Sequence, residues 1–257
     1  MRRKPTGAAD LHVHTNASDG VSSVREVLEA AGRAGLDVVA ITDHNRVDSA
    51  LRAAELAPRL GVGVVVGEEI STHHGHLLAL FIQERIAPGQ DMAETITAVH
   101  EQGGIAVLAH PYDPVSFGVL NPWRRRLTRE QVIGLDYDAM EVFNACLPRS
   151  RANIRAHELA AHTSVARVSG SDAHSANTVG LGLTLFPGST PEDLRQAILD
   201  RTTVAAGRRW AVHHYTELFG RRELKYAGVA ASYALGLCHA AIGSVALLAR
   251  AGVSRLF

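Results

Sequence analysis

The 257-residue sequence is poor in several features that mark particular classes of protein. It has two cysteines, Cys146 and Cys238, which lie far apart and form no CxxC pair. We therefore expect neither a disulfide framework nor a thiolate zinc site. So few cysteines are typical of proteins in a reducing compartment. Because no apolar run follows the initial Met-Arg-Arg-Lys-Pro, we expect no secretory signal and a cytoplasmic location.

The sequence also has no excess of charge, since 26 basic residues balance 26 acidic ones. Proteins that wrap nucleic acid neutralise its phosphates with a surplus of Lys and Arg. We therefore expect no stable binding of duplex nucleic acid, whereas a small phosphorylated substrate stays compatible with this balance. No Pro-, Ser- or Gly-rich linker interrupts the first part of the chain, which predicts one main domain.

The C-terminal segment 226–249 has no Asp, Glu, Lys or Arg and is rich in Ala and Gly. Its length suits a transmembrane helix, but His239 near its middle argues against a helix exposed to lipid. The small residues equally suit close packing against a protein surface. We expect a C-terminal helical extension over 210–257, with two interpretations open: a membrane anchor through 226–249, or a packing helix.

Short apolar runs alternate with helical patterns along the rest of the chain. This alternation predicts an α/β fold with a parallel sheet, of which a barrel is one form. Thr190 is the predicted N-cap of the last helix, because Pro191 and two acidic residues follow it. The predicted strands are Leu11–Val13, Val38–Thr42, Val62–Val66, Leu77–Ile82, Ile105–Ala109, Met140–Phe143 and Val165–Ser169, and the predicted helices are Ser23–Ala34, Ser49–Leu60, Met92–Gln102, Arg151–His162 and Pro191–Asp200.

Polar side chains that can bind metal recur at the ends of these predicted strands. In a parallel barrel the catalytic groups collect at the carboxyl ends of the strands. One such histidine is usually a surface or capping residue, and Asp43 would also suit the cap of a helix. Their recurrence at strand after strand predicts a metal site instead. The residues are His12, His14, Asp43, His44, Glu68, Glu69, His110, Glu141, Asn144, Asp172 and His174.

His12 and His14 form an H-x-H pair at the first predicted strand. Alternate residues of an extended strand project to the same face, so both rings can reach one ion. The pair alone is a weak signal. A carboxylate from another strand makes it specific.

Six motifs along the chain resemble those of one family. "DLHVHTNASDG", "AITDHN", "GEEIST…GHLLAL", "LAHP", "MEVFN" and "SGSDAH" are similar, in this order, to the motifs of the PHP (polymerase and histidinol phosphatase) superfamily of metal-dependent phosphoesterases. The resemblance covers about Asp10 to His174, with family-like sequence to around Arg209. It implies a distorted seven-stranded (β/α) barrel over residues 1–209.

The resemblance also implies nine metal ligands, and every one of these positions holds a competent side chain. Glu69 is expected to bridge two ions. His76 is chosen over its neighbours His73 and His74 because it opens the run "LLALF". The implied sets are His12, His14, Glu69 and Asp172 for one ion, Asp19, His44 and His174 for a second, and Glu69, His76 and His110 for a third.

Histidine and carboxylate ligands without thiolate suit two or three divalent ions such as Mn²⁺, Zn²⁺ or Fe²⁺. The resemblance thus implies hydrolysis of a phosphate ester by a metal-bridging hydroxide, with no covalent enzyme intermediate. Only 33 residues separate His76 from His110, which leaves no room for a large inserted subdomain. We expect a small phosphorylated metabolite, a nucleotide or an oligonucleotide end as substrate. The candidate substrate contacts are Asn144, Arg149 and Arg151, whereas Glu141 is expected to lie behind the ligands or inside the barrel rather than to bind metal itself.

Two alternatives remain open. The first is an amidohydrolase-like enzyme, but many of those bridge their metals with a carboxylated lysine, and the only lysines here are Lys4 and Lys225. The second is a non-catalytic PHP module, whose signature would be missing ligands. The sequence therefore favours phosphoester chemistry.

Overall fold

The computed structural model describes residues 7–113, 117–121, 127–147 and 150–223. The chain divides into two compact units, Met1–His214 and Tyr215–Phe257, and residues 215–223 of the second are helical. Within the described ranges, no helix combines the length and the apolar character needed to cross a membrane. The segment 226–249 and Arg149 lie outside the described residues, so the expectations about them stay predictions.

The first unit is an α/β structure built around one nine-stranded sheet. Its strands and helices alternate along most of the chain, as the sequence predicted. Two short 3₁₀ helices, Ala57–Arg59 and Ala176–Thr178, complete it. The elements are β1 (Gly7–Asp10), α1 (Val24–Arg33), β2 (Val38–Ile41), α2 (Asp48–Leu56), β3 (Gly63–Ser71), β4 (His76–Leu80), α3 (Met92–Glu101), β5 (Ile105–Leu108), α4 (Arg129–Ile133), β6 (Ala139–Asn144), α5 (Ser150–Ala160), β7 (Ala166–Gly170), β8 (Gly182–Phe186), α6 (Pro191–Leu199) and β9 (Val204–Gly207).

The sheet is mixed and has more strands than the seven that were predicted. Its order is β7-β6-β5-β4-β3-β2-β1-β8-β9, and β4 runs antiparallel to both β3 and β5. The connection between β3 and β4 has only four residues, 72–75, which is too short for the crossover that a parallel strand needs. The reversal pairs Ser71 with His76, so the start of β4 lies beside the end of β3.

The first strand was predicted at Leu11–Val13, and this placement was wrong. β1 ends at Asp10, and the chain beyond it makes only an isolated parallel bridge between Val13 and Ala173. Asp10 accepts hydrogen bonds from the backbone N–H groups of Ser171 and Gly180, at 2.9 and 2.8 Å. Burial raises the pKa of Asp10 to about 6, although these bonds oppose the rise. The side chain therefore ties β1 to the segments around β7 and β8.

β8 brings the two ends of the sheet together and makes a nearly closed barrel. The backbone N–H of Ser169 donates to Thr184 Oγ1 at 2.8 Å, and that hydroxyl donates back to the Ser169 carbonyl at 2.9 Å. One apolar cluster draws side chains from β1 to β8 and from α6, as a barrel interior requires, and includes Leu78, Val168 and Phe186. Two further apolar clusters pack α1 with α2, and α3 with α5, against the outer face.

Reciprocal capping boxes start four of the helices. The predicted cap at Thr190 is confirmed, because its hydroxyl accepts from the Asp193 N–H at 3.1 Å and the Asp193 carboxylate accepts from the Thr190 N–H at the same distance. Ser23, Asp91 and Thr128 do the same for α1, α3 and α4. Each box satisfies N–H groups that a helix leaves without partners, which fixes where each helix begins.

Candidate metal centre

The nine side chains expected to bind metal lie together at one end of the barrel. His44 follows β2 and makes an isolated bridge with Glu69, which belongs to β3. His76 opens β4, so only the reversal of that strand places it at this end. The others are His12, His14 and Asp19 after β1, His110 after β5, and Asp172 and His174 after β7.

The Glu69 carboxylate is the central group, and it is 1% exposed. Five histidine rings surround it. Its Oε2 lies 3.2 Å from His12 Nε2, His14 Nε2 and His44 Nδ1 alike. Its Oε1 lies 2.7 Å from His76 Nδ1 and 3.0 Å from His110 Nε2. One carboxylate therefore joins rings carried by four different parts of the sheet.

Asp172 and Asp19 extend the cluster to either side of His14. Asp172 Oδ1 lies 3.4 Å from His14 Nε2 and 3.6 Å from His12 Nε2. Asp19 Oδ2 lies 3.0 Å from His174 Nε2, while its Oδ1 lies 3.7 Å from His14 Nδ1. The Asp19 side chain is 34% exposed, so this flank of the cluster is open to solvent.

These separations fit the ligands of shared metal ions. Two ligands that bind one ion tetrahedrally at about 2.1 Å lie roughly 3.4 Å apart. Five buried ring nitrogens also have no partner at the angles that a hydrogen bond requires, although carboxylate oxygens lie close to several of them: Nε2 of His12, both nitrogens of His14, Nδ1 of His76 and Nδ1 of His110. Buried polar atoms are nearly always paired, so these atoms are suited to accept a cation.

The electrostatics of the cluster favour positive charge. Burial would raise the pKa of Glu69, but His76, His44 and His12 together hold it well below its usual range. Burial would likewise lower the pKa of His14, but the nearby carboxylates of Asp172 and Glu69 raise it to about 10. Carboxylates that draw protons onto neighbouring rings also attract a divalent cation, which displaces those protons when it binds.

The geometry groups the ligands differently from the expected sets. His14 joins Asp19, His44 and His174 in one group of ligand atoms that lie within 4.8 Å of one another. The other groups within that distance are His12, His110 and Asp172; His12, His14 and Glu69; and His44, Glu69 and His76. His12, His14 and His44 are therefore each shared between two groups, which the motif pattern did not indicate.

Asp43 holds the loop that carries Asp19. It accepts from the Thr15 N–H at 2.8 Å, from the Thr15 hydroxyl at 2.6 Å and from the Ser18 hydroxyl. The Ser49 hydroxyl of α2 donates to it at 2.5 Å. The sequence suggested a helix cap for Asp43, but the N-cap position of α2 is Val47. Its bonding pattern instead fixes one ligand-bearing loop against the next.

Two of the candidate ligands have left-handed backbone conformations. His110 has φ 23° and Asp172 has φ 51°. Residues other than glycine rarely adopt such angles, and those that do cluster at functional sites. Each residue lies two positions beyond the end of its strand, His110 after β5 and Asp172 after β7, where the chain turns these side chains into the cluster.

Asn144 and Arg151, which were expected to contact substrate, lie in two different environments. Asn144 is fully buried: its Nδ2 donates to Glu141 and Asp172 at 3.1 Å each, and its Oδ1 accepts from the Cys146 N–H at 2.9 Å. Its amide group is thus already engaged by the protein. Arg151 is exposed in the first turn of α5 and, among the described residues, bonds to no member of the cluster.

Trp210 lies at the edge of the centre, and sequence analysis missed it. Its indole N–H donates to the Ser171 carbonyl at 3.0 Å, and its backbone N–H donates to the Ala145 carbonyl at 2.9 Å. The ring meets His174 edge-on, with centroids 6.4 Å apart. The resemblance to the PHP family extends only to around Arg209, so no family motif includes Trp210.

Two family models match the chain, and known proteins are similar to it in sequence. The family model described as PHP domain matches residues 10–139, and that described as PHP-associated matches residues 150–203. An uncharacterized protein of Methanocaldococcus jannaschii is 38% identical over 148 residues, which are 53% of this chain and 81% of the relative.

Two further similarities involve proteins with a described activity. A phosphoribosyl 1,2-cyclic phosphate 1,2-diphosphodiesterase of Eggerthella lenta is 40% identical over 81 residues, 29% of this chain and 31% of that protein. A two-domain protein of Bacteroides vulgatus, described as containing a predicted PHP-like metal-dependent phosphoesterase, superposes with a TM-score of 0.63 at 19% identity. The match covers 81% of this chain and 69% of that one.

Proposed function

The chain belongs to the PHP family of metal-dependent phosphoesterases and is a hydrolase, and we propose that it cleaves a small phosphate ester at a centre of two or three divalent ions. The ions are Mn²⁺, Zn²⁺ or Fe²⁺, in keeping with imidazole and carboxylate ligands. The substrate is a phosphorylated metabolite, a nucleotide or the end of an oligonucleotide.

One observation carries this proposal: five histidine rings surround the buried Glu69 carboxylate, and Asp172 and Asp19 continue the cluster. The buried carboxylates of Glu69 and Asp172 need compensating positive charge, which protons on the neighbouring rings supply in the metal-free protein and divalent ions supply when they displace those protons. The unpaired ring nitrogens support the same conclusion. All nine residues are therefore proposed to hold the ions.

Divalent ions in such a centre supply an activated hydroxide at neutral pH and neutralise the charge of the phosphoryl oxygens. The protein fixes the positions of the ligands and the side from which substrate reaches the ions. His12, His14 and Glu69 are at most 1% exposed and close the inner side. The side chains of Asp19 and His44 are 34% and 27% exposed, so substrate is proposed to enter past them.

The short connection between His76 and His110 supports a small substrate. It consists of β4, the following loop, α3 and β5, with no inserted domain. The similarity to a phosphodiesterase of cyclic phosphoribosyl substrates supports a phosphate ester of that size. Stable binding of duplex nucleic acid is not expected from the balanced charge, and a gel-shift titration with duplex DNA tests this directly.

Amide hydrolysis is the less favoured activity. No lysine lies between Lys4 and Lys225, so no carboxylated lysine is available to the described part of the barrel. Glu69, whose two oxygens face different histidines, would take the bridging position instead.

The test is metal quantification of the purified protein together with a panel of phosphate monoesters, diesters and amides. The panel is run on the wild type, His12→Ala and Asp172→Ala. We expect the wild type to retain metal and hydrolyse phosphate esters, and both variants to lose metal and turnover. Unchanged metal content in both variants would refute the assigned centre, while bound metal without turnover would indicate a non-catalytic module.

A further inference from the structure

β6 is the one strand between β5 and β7, and its carboxyl end lies between two strands whose ends carry ligands. Its polar residues there, Glu141 and Asn144, are 1% and 0% exposed. Neither belongs to any of the groups of ligand atoms described above. Their hydrogen bonds lead to ligands instead.

The Glu141 carboxylate connects two histidines. Its Oε1 lies 3.1 Å from His12 Nδ1, and its Oε2 accepts from the backbone N–H of His110 at 2.8 Å. A carboxylate only accepts, so the Nδ1 atom of His12 carries the hydrogen in this pair. In the neutral ring this leaves Nε2, which faces Glu69 and Asp172, as the nitrogen with a free lone pair, the arrangement that a metal ligand requires.

Asn144 connects Glu141 to a third ligand. Its Nδ2 donates to Glu141 Oε2 and to Asp172 Oδ2, both at 3.1 Å. The amide cannot be reversed without facing two carboxylates with its oxygen and the Cys146 N–H with its NH₂ group. One orientation is therefore strongly favoured, and both hydrogens of the amide are in use.

The backbone of Asn144 is held in turn by α5. Its N–H donates to Asn153 Oδ1 at 3.1 Å, and its carbonyl accepts from Asn153 Nδ2 at 3.0 Å. Asn153 thus forms a two-point contact with the end of β6. A continuous set of hydrogen bonds runs from α5 through β6 to ligands after β1, β5 and β7.

We propose that Glu141 and Asn144 are positioning residues that set the ring of His12, the backbone of His110 and the carboxylate of Asp172 for metal binding. This inference rests on the proposed function, because it assumes that those three residues are ligands. It replaces the expectation that Asn144 contacts substrate. Partners that orient metal ligands contribute about 10- to 100-fold in metal affinity.

The test compares metal affinity with the stability of the metal-free protein. Glu141→Gln keeps an oxygen for His12 but turns an NH₂ group towards two donors, the His110 N–H and Asn144 Nδ2. Asn144→Ala removes the bond to Asp172. We expect each variant to bind Mn²⁺ or Zn²⁺ about 10- to 100-fold more weakly in calorimetric titration of metal-free protein.

Asp138→Asn is the matched control. Asp138 precedes β6, and its Oδ2 lies 2.9 Å from His100 Nε2 and accepts from the Ala106 N–H at 2.8 Å. It is a carboxylate bonded to a histidine and a backbone N–H, as Glu141 is, but it does not touch the cluster. We expect this variant to lower the melting temperature without changing metal affinity, which separates positioning from a general loss of stability.

His12→Ala makes the possible failures distinguishable. If His12→Ala loses metal while Glu141→Gln and Asn144→Ala bind it like the wild type, the positioning role is refuted and the metal centre stands. If His12→Ala itself binds metal like the wild type, the proposed function fails as well. Should Glu141→Gln not fold, as judged by circular dichroism, the affinity of folded Asn144→Ala decides the question.

Discussion

Replacing Gly170 by alanine is expected to displace His12 and Glu141 at the candidate metal centre without removing any polar group. A Cβ atom at this position would lie 2.3 Å from His12 Cβ and 2.6 Å from Glu141 Oε1. The first distance is about 1.1 Å shorter than the 3.4 Å at which ordinary contact begins. Neither neighbour can simply swing away, because one is bonded directly to the backbone and the other holds His12 and His110.

The expected cost follows from overpacking, which destabilises by roughly 1–3 kcal/mol. At ~2–4 °C per kcal/mol for a domain of this size, Gly170→Ala should melt roughly 2–12 °C below the wild type. Metal affinity should fall by at least about 10-fold, because His12 and its partner Glu141 are displaced together.

Gly32→Ala is the control for Gly170→Ala. Gly32 lies in α1, and a methyl group added at its Cα would meet no atom within 4 Å. Alanine there should therefore stabilise by about 0.5–1 kcal/mol and leave metal binding unchanged. The assays are thermal unfolding of the metal-free proteins and calorimetric titration with Mn²⁺. Wild-type stability and affinity in Gly170→Ala would refute the account of close packing between β7 and His12.

Three further predictions address the loop, the ions and the fold. Asp43→Asn should lower the free energy of unfolding by roughly 1–3 kcal/mol in urea denaturation, because buried donors lose an acceptor. It should also weaken metal binding near Asp19. An effect no larger than that of Ser49→Ala would contradict this prediction. Removal of metal by a chelator should lower stability by about 2.7 kcal/mol relative to protein at 100 times the dissociation constant, and an unchanged melting temperature would argue against binding to the native state. Thr190→Ala should cost about 1 kcal/mol in thermal unfolding through loss of the α6 cap, with metal affinity as in the wild type; a change in affinity would show that α6 influences the centre.

Much of the centre could be predicted from the sequence because its ligands follow strands in short motifs. His12, His14 and Asp172 lie at such positions, and apolar runs located β2 and β4 to β7 to within two residues. β3 extends five residues beyond its predicted end at Val66, so Glu69 lies within that strand. His76 was identified by motif alone. The reason that it reaches the centre is the four-residue hairpin before β4, which reverses the strand and brings its first residue to the ligand end.

The remaining features depend on distances between segments far apart in the chain. β8 alternates buried and half-buried residues between glycines, and β9 is a short strand with exposed ends, so neither has the continuous apolar run of the other strands. The role of Asp43 follows from the donors around it and that of Asn144 from the two carboxylates that accept from its amide, and composition and spacing do not reveal these partners. Trp210 is likewise defined by its contacts with Ser171 and His174.

Anomalous diffraction from crystals loaded with Mn²⁺ or Zn²⁺ tests the central claim most directly. We predict two or three anomalous peaks among the nine ligands, with one pair of ions bridged by Glu69 and with ligand bonds of about 2.0–2.2 Å. Peaks are expected to disappear in crystals of His12→Ala and Asp172→Ala. A loaded crystal of the wild type without a peak beside Glu69, or with its ions bound elsewhere, would contradict the account.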